Sequence, residues 1–167
     1  MRLRAKDSFY CPQAGNVVGE KIRMGYWNDL LNSIVNGTAQ PPPYVRTLGT
    51  THMRQWEPGR VLCEWVVNPA LFQDLNSLFG GFVAALADEV LGFATMTVLE
   101  EGEVFITADL HVTFHRTIKD GVLNFEGRIV QREKRSAQAE LVVTNQDGTI
   151  VAEATAKEVI RRIRRGA

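Results

Sequence analysis

The stretch from Leu78 to Leu99 constrains this chain more than any other part of it. Its sequence, LFGGFVAALADEVLGFATMTVL, would be apolar on every face of a helix, so it must be enclosed. The stretch is long enough to tempt a transmembrane interpretation, but Asp88 and Glu89 interrupt it near the middle, where charge is most costly in a bilayer. We therefore predict a buried helix of a soluble protein.

The segments around this helix have the two-residue period of β-strands. Two strand-like runs flank the turn tripeptide at 57–59, which predicts a hairpin, and a second hairpin is predicted around the turn at 145–148. Buried strand faces are predicted for three groups of residues: Val104, Ile106, Ala108, Leu110, Val112 and Phe114; Leu123, Phe125 and Ile129; and Ile150, Ala152, Ala154 and Ala156. The sequence thus predicts an α+β domain in which a curved antiparallel sheet of five to six strands wraps around one long helix.

An amphipathic helix is predicted before this domain. Ile22, Tyr26, Leu30 and Ile34 recur at intervals of four between residues 19 and 37, and Gly37 is a plausible stop. Three prolines at 41–43 then form a stiff linker. We predict an N-terminal helical extension over 1–43, a main domain over 44–163 and a basic tail over 164–167.

Charge and cysteine content exclude several classes of partner. Nineteen basic and nineteen acidic residues give no net charge, so no overall field attracts nucleic acid or an anionic membrane. Cys11 and Cys63 cannot form a four-cysteine zinc site or a multi-bridge framework. His111 and His115 would lie about 13 Å apart on a strand, too far to share one ion. With no apolar run at the N-terminus, we expect a cytoplasmic protein that binds neither metal, nucleic acid nor membrane.

Asp88 is the strongest candidate for a functional group. A carboxylate within an apolar helix loses hydration and tends to have a raised pKa, as functional acids and bases do. Small side chains at Gly81, Ala84, Gly92 and Thr95 would leave room beside it for a ligand or a second backbone. Glu89 lies about 100° round the helix, so we expect it to pair with a cation or border an interface instead.

The second candidate feature is the Gly80-Gly81 pair at the predicted helix start, with Asn76 and Ser77 as possible caps. Free amides there could stabilise a developing oxyanion, or the glycines could serve only a tight turn into the helix; both interpretations stay open. Seven residues of helix separate Gly81 from Asp88, about 10 Å. They cannot act on one carbonyl within a chain, so cooperation requires an obligate dimer.

These residues resemble a known family. FGGFVAALADEVLGFA is similar to the HGG-x4-L-x-D-x3-G helix signature of hot-dog-fold acyl-CoA thioesterases of the PaaI-like type, and TADLHVTFHRTIKDG resembles the strand and turn that follow. The resemblance extends over about residues 48–158 and implies thioester hydrolysis without a cofactor other than the coenzyme A of the substrate. It implies that Asp88 is the general base or nucleophile, that the Gly81 amide polarises the carbonyl and that Thr107 orients water.

Three positions depart from the family pattern. Phe79 replaces the histidine before the glycines, Gln73 replaces an asparagine, and Asn76 replaces a glycine. We expect Gln73 to orient water with Thr107, and Asn76, Phe79 and Gly80 to contact the substrate. The partner would be an acyl-CoA or similar thioester, bound by a homodimer or dimer of dimers. A non-catalytic acyl-thioester binding protein is the alternative that these departures favour.

A basic cluster could bind the nucleotide end of such a substrate. Pyrophosphate and ribose phosphate groups require cationic donors, and the predicted turn at 132–136 supplies Arg132, Lys134, Arg135 and Ser136. A solvated basic turn is the other interpretation of this cluster.

Overall fold

The computed structural model describes residues 25–45, 49 and 51–163. In chain order the elements are α1 (Tyr26–Val35), β1 (His52–Glu57), β2 (Arg60–Val66), a 3₁₀ turn (Pro69–Leu71), β3 (Phe72–Gln73), β4 (Ser77–Leu78), α2 (Gly80–Met96), β5 (Glu103–Phe114), β6 (Val122–Glu133), β7 (Ser136–Thr144) and β8 (Ile150–Arg162). Six strands form one antiparallel sheet in the order β1-β2-β6-β7-β8-β5, and β3 pairs with β4 in a separate ribbon. The predicted α+β architecture and both hairpins are confirmed.

Helix α2 packs on one face of the six-stranded sheet and forms the core with it. Alternate residues of each strand face the helix, as the two-residue period requires. Gly127 of β6 marks the closest approach, since a Cβ there would lie 3.2 Å from the side chains of both Val61 and Val90. The α2 residues buried by this packing are Val83, Leu86, Ala87, Val90, Leu91, Gly92, Ala94 and Thr95. Neither described helix is long and apolar enough to cross a membrane.

The enclosure of α2 is incomplete, which corrects the expectation that the whole helix is buried. Gly81 and Asp88 are exposed, and Ala84 and Ala85 between them are half-buried. The physical reason is that a single sheet covers one face of a helix, and the chain described here packs no second layer over the N-terminal part of the opposite face.

Strand β5 differs from its predicted burial pattern in its first half. Ile106 and Ala108 are exposed, whereas Phe105 and Thr107 are half-buried on the side that faces the helix. The pairing with β8 shifts between Thr107 and Asp109, so Ala108 is an extra residue that changes which positions face inward. The predicted buried face is therefore correct only beyond the bulge, at Leu110 and Val112.

Helix α1 packs against β1 and α2. Its fully buried residue is Leu31, and Ile34 and Val35 also contact the core. Of the predicted face, Ile34 contacts the core and Tyr26 and Leu30 are half-buried, while the neighbouring stripe through Leu31 faces the core directly. Ile22 lies outside the described residues.

The two indole groups near α1 make hydrogen bonds that hold it in place. Trp27 donates to the backbone carbonyl of Glu103 at 3.1 Å, and Trp56 of β1 donates to Asn32 at 3.1 Å. Gly37 follows the helix with φ +68°, which confirms it as the stop. The division of the chain at residues 43 and 163 stays a prediction, and residues 164–167 lie outside the described part.

Candidate active site

A shallow depression lies between the exposed face of α2 and the middle of β5. It has a volume of about 380 Å³ and is lined by Ala84, Ala85, Asp88, Thr107, Ala108, Asp109 and Leu110. Two of the predicted site residues, Asp88 and Thr107, therefore meet here from different elements. The bulge in β5 adds Asp109 to this lining.

Asp88 is exposed in the single chain, contrary to the predicted loss of hydration. Beyond it along α2 the helix is covered, because the Phe105 ring lies 3.3 Å from the position of a Cβ on Gly92. The predicted stripe of small residues is thus divided, with Gly81 and Ala84 open while Gly92 and Thr95 are buried. Burial of Asp88 would require a ligand or a second chain.

The start of α2 places two glycines against two aromatic rings. A Cβ on Gly80 would lie 3.2 Å from the Phe114 ring, and a Cβ on Gly81 would lie 2.5 Å from the Phe79 ring. Close ring packing is a structural reason for Gly80, and for Gly81 it is a weaker one because the exposed Phe79 ring can move. Their N–H groups nevertheless belong to the first turn, where the helix offers no carbonyl to accept from them. The glycines can therefore allow a tight turn into the helix and also present free amides to an oxyanion.

The predicted caps Asn76 and Ser77 do not cap α2. Phe79 is the N-cap residue and makes no side-chain capping bond. Asn76 instead has φ +52° in the turn between β3 and β4, a left-handed conformation that asparagine tolerates better than most residues. This geometry explains how asparagine stands where the family pattern has glycine.

Gln73 lies in the same ribbon and is exposed. Its amide donates to the hydroxyl of the fully buried Ser77 at 3.0 Å. The depression around Asp88 includes neither Gln73 nor Gly81 of the same chain. Within one chain, the structure brings Thr107 to Asp88 but does not bring Gln73 or Gly81 there.

Sequence reasoning missed Glu158 on β8. Its side chain is fully buried, it pairs in register with Thr107, and 3.4 Å separates its Oε1 from the Thr107 hydroxyl oxygen. Burial raises the pKa of Glu158 to about 7; the Thr107 hydrogen bond opposes this rise and the charge of Asp88 adds to it. The signal was available, because the inward series Ala152, Ala154 and Ala156 continues to position 158.

Glu89 accepts hydrogen bonds from two hydroxyl groups, not from a cation among the described residues. Tyr44 donates to one carboxylate oxygen at 2.7 Å, and Thr51 donates to the other. Burial raises the pKa of Glu89, while both hydrogen bonds oppose this rise. Glu89 thus ties α2 to the segment before β1. Of its two predicted roles, pairing with a cation is wrong for the part of the chain described, and bordering an interface stays a prediction.

The basic cluster borders a wide groove of about 980 Å³ at the end of the sheet. The residues that line it are Val98, Glu100, Glu103, Arg132, Glu133, Lys134, Arg135, Ile160, Arg161 and Arg162. Arg132 is paired with the buried Glu103 at 2.6 Å, and the Ser136 hydroxyl donates to Glu133 at 3.0 Å. Lys134 and Arg135 are exposed, so they are the cluster members best placed to meet an anion.

The histidines do not gather at one point. His115 Nε2 lies 2.7 Å from a carboxylate oxygen of Glu153, and His111 lies on β5 beside Thr113. Across residues 25–45, 49 and 51–163, no group of three or more histidine, cysteine or acidic side chains is arranged to hold a metal ion.

Comparisons with known proteins agree with this architecture. Residues 75–152 match the family model described as the thioesterase superfamily. The chain is 28% identical over 125 residues to the proofreading thioesterase EntH of Klebsiella pneumoniae, covering 75% of this chain and 90% of that protein. It is 24% identical over 127 residues to human acyl-coenzyme A thioesterase 13, covering 74% and 89%.

A solved structure shares the fold over most of the chain. The phenylacetic acid degradation-related protein of Ralstonia eutropha superposes with a TM-score of 0.70 at 26% identity, covering 78% of this chain and 98% of that one. The helix packed on a six-stranded antiparallel sheet is the hot-dog fold. The family model, these relatives and this structure support the resemblance to hot-dog-fold thioesterases that the sequence indicated.

Proposed function

We propose that this protein hydrolyses an acyl-CoA thioester at a site shared between two subunits. The observation that carries the proposal is the open face of α2, where Gly81 and Asp88 are both exposed although the rest of the helix is largely buried. About 10 Å of helix separates them, so two antiparallel copies of α2 could bring one Gly81 to the other Asp88.

The edge position of β5 supports assembly into a dimer or a dimer of dimers. One side of an edge strand carries unpaired backbone groups, and β5 also exposes the large apolar side chain of Ile106. A partner subunit lying along this edge would cover the depression at Asp88. Covering would remove the carboxylate from bulk water, which is the environment that the sequence predicted for it.

In this mechanism the partner subunit's Gly81 donates its amide N–H to the thioester carbonyl oxygen, where negative charge develops. Asp88 either attacks the carbonyl carbon directly or removes a proton from the attacking water. The carbon–sulfur bond then breaks, and the thiolate of coenzyme A leaves. In the general-base route, the thiolate takes up the proton that Asp88 removed from water. In the nucleophilic route, water hydrolyses the acyl anhydride on Asp88, which releases the carboxylic acid and supplies the proton. Thr107, with the Gln73 side chain of the partner subunit, would orient the water.

The nucleotide end of the substrate would lie in the basic groove. Glu103 in this groove is four residues from Thr107 along β5, about 13 Å of extended strand. Lys134 and Arg135 would meet the phosphates, and Arg132 and Ser136 would hold the turn through their glutamate partners. The similarity to acyl-coenzyme A thioesterase 13 supports this substrate class. We propose that the activity is cytoplasmic.

A panel of aryl and medium-chain acyl-CoA thioesters tests the proposal. We expect the wild-type protein to hydrolyse at least one of them, and Asp88→Asn to lower kcat by at least ~100-fold, the scale of a lost catalytic base. Asp120→Asn, which changes an exposed acid in the β5–β6 turn, is the matched control and should retain wild-type kcat. If Asp109→Asn loses activity while Asp88→Asn keeps it, the catalytic base is Asp109 and the role proposed for Asp88 is wrong.

Light scattering during size-exclusion chromatography tests the shared site in the same samples. We expect no stable monomer, and a fully active monomer would contradict the geometry. The second candidate function is a non-catalytic acyl-thioester binding protein, which Phe79 favours because its ring cannot donate the hydrogen bond of a histidine. Tight acyl-CoA binding without turnover would establish that alternative.

A further inference from the structure

Glu158 is a fully buried acid on the inward face of the sheet, and the proposed mechanism gives it no role. It lies on the inward face of β8, opposite Thr107 of β5 and Ala137 of β7. The preceding inward residue on the same strand is Ala156, and the following one is Ile160. The Thr107 hydroxyl donates a hydrogen bond to Oε1 of Glu158.

The second carboxyl oxygen of Glu158 is buried without a hydrogen-bond partner among the described residues. An ionised carboxylate in this position would have one long hydrogen bond and, in the part of the chain that the structure describes, no ion-pair partner to offset its lost hydration, which is unfavourable. A protonated carboxyl avoids that cost and gains an O–H donor. Burial accordingly raises the pKa of Glu158 to about 7, so both forms are accessible near neutrality.

The charges around Glu158 favour its neutral form. Asp88 faces it from α2 and raises its pKa further. On β5, Asp109 borders the same depression as Thr107, and Glu103 lies further along, neutralised by Arg132 of β6. The inward residues of β7, Ala137 and Ala139, carry no charge. On β8 itself, Lys157 and Arg161 alternate with the inward positions and are exposed.

A threonine hydroxyl has a single hydrogen, so the state of Glu158 decides where it points. If Glu158 is ionised, the Thr107 hydrogen is directed inward, to the carboxylate. If Glu158 is protonated, its own O–H can donate to Thr107 Oγ1, and the Thr107 hydrogen is then available to the depression that Asp88 lines. The direction of this one hydrogen bond couples the protonation of Glu158 to the orientation of the Thr107 hydroxyl in the candidate site.

We propose that Glu158 is a positioning residue, which in its protonated form turns the Thr107 hydrogen toward the depression at Asp88 and in its ionised form turns it away. This inference rests on the proposed function of the site. It adds a residue whose protonation controls the orientation of the water-binding hydroxyl. Glu158 itself touches no substrate.

The kinetic test compares pH profiles of kcat and KM for the most active thioester. For the wild type, we expect kcat to fall about tenfold as the pH rises through 7, the scale of one lost hydrogen bond, with little change in KM. Glu158→Gln has an amide that donates at every pH, so its kcat should stay within threefold of the low-pH wild-type value and lack this decline. Glu140→Gln, an exposed glutamate of β7, is the matched control and should keep the wild-type profile.

A Thr107→Val background separates positioning from a merely structural role. Without the hydroxyl, the decline near pH 7 should be absent, and adding Glu158→Gln should change kcat no further. If Glu158→Gln keeps the wild-type decline, or if its effect is the same in both backgrounds, the proposal is overturned.

Carbon-13 NMR of labelled glutamate carboxyl groups gives a readout that needs no turnover. The Glu158 signal is assigned by its absence in Glu158→Gln and should titrate near pH 7. Asp88→Asn should lower the midpoint, because a negative charge is removed, and Thr107→Val should raise it, because the ionised form loses its donor. A midpoint near the ordinary glutamate value of about 4.3 would overturn the proposal even if the protein is an active thioesterase. The expected shifts in a protein that hydrolyses no thioester would reject only the proposed function.

Discussion

The two faces of α2 are both mainly apolar, but their surroundings differ. The covered face packs Leu86, Val90 and Leu91 against the sheet, and all three are completely buried. The open face presents Gly81 and Asp88 to the exterior. Both faces are mainly apolar, but the covered face carries large aliphatic side chains and forms the core, whereas the open face carries small side chains and the acid and borders the candidate site.

The difference teaches that an apolar helix need not be enclosed by its own chain. The Asp88 carboxylate loses little hydration in the single chain, because it is exposed there. The apolar residues beside it are instead available to a ligand or to a second subunit. Substitutions on the covered face should therefore change stability, and substitutions on the open face should change activity and assembly.

The largest expected effect on stability is on the covered face. Leu86→Ala removes a fully buried side chain between α2 and the sheet and should lower the free energy of unfolding by about 3 kcal/mol. Urea denaturation measures it. Asp88→Asn should change the same quantity by less than about 0.5 kcal/mol. A comparable loss in both variants would remove the distinction between the faces.

Next in size is the pH dependence that Glu158 gives to stability. Its pKa is about 7 in the folded protein and near 4.5 in the unfolded chain, so the folded state binds more protons between these values. The free energy of unfolding should therefore fall as the pH rises from about 5 to 8, by up to about 3 kcal/mol. Urea titrations of the wild type and Glu158→Gln at several pH values check this, and the variant should lack the decline. If the free energy of unfolding depends on pH equally in the wild type and in Glu158→Gln, Glu158 is ionised in the folded and the unfolded protein alike.

The smallest effect compares two glycines of the same helix. Gly92→Ala would press a methyl group against the Phe105 ring, which is packed between α2 and α1, and should destabilise the protein by about 1 kcal/mol. Gly81→Ala meets the Phe79 ring, which is 52% exposed and can rotate away, so its stability should stay within about 0.5 kcal/mol of wild type. Thermal denaturation of both variants makes the comparison. A larger loss of stability in Gly81→Ala than in Gly92→Ala would mean that the Phe79 ring is held more firmly than the Phe105 ring.

Local sequence signals predicted the elements well and their inward faces less well. The strand over residues 104–114 was found from its alternation, but a bulge at Ala108 reverses which residues face inward before it. The bulge depends on how β5 pairs with β8, which is a long-range contact and leaves no periodic trace. In α1, two apolar stripes were available, and the packing against β1 and α2 selected the one that contains Leu31.

The candidate site divides in the same way. Asp88 and the glycines stand out in the sequence because a charge and a glycine pair interrupt an apolar helix. The place of Thr107 came from the family resemblance, and the structure brings it to the same depression as Asp88. Glu158 could have been found by extending the alternation of β8 beyond Ala156, but its polar contact with Thr107 depends on the register between strands.

The sequence by itself determined the helix, the strands, the two hairpins and the position of the acid along the helix. These follow from periodicity, turn residues and helix stops, all of which act within a few residues of chain. Only the tertiary structure decided that Asp88 is exposed, that the β5 bulge brings Thr107 and Asp109 to it, and that Glu158 lies buried beneath them. These features depend on which surfaces meet, and burial, strand register and hydrogen-bond partners are set by contacts between residues far apart in the chain.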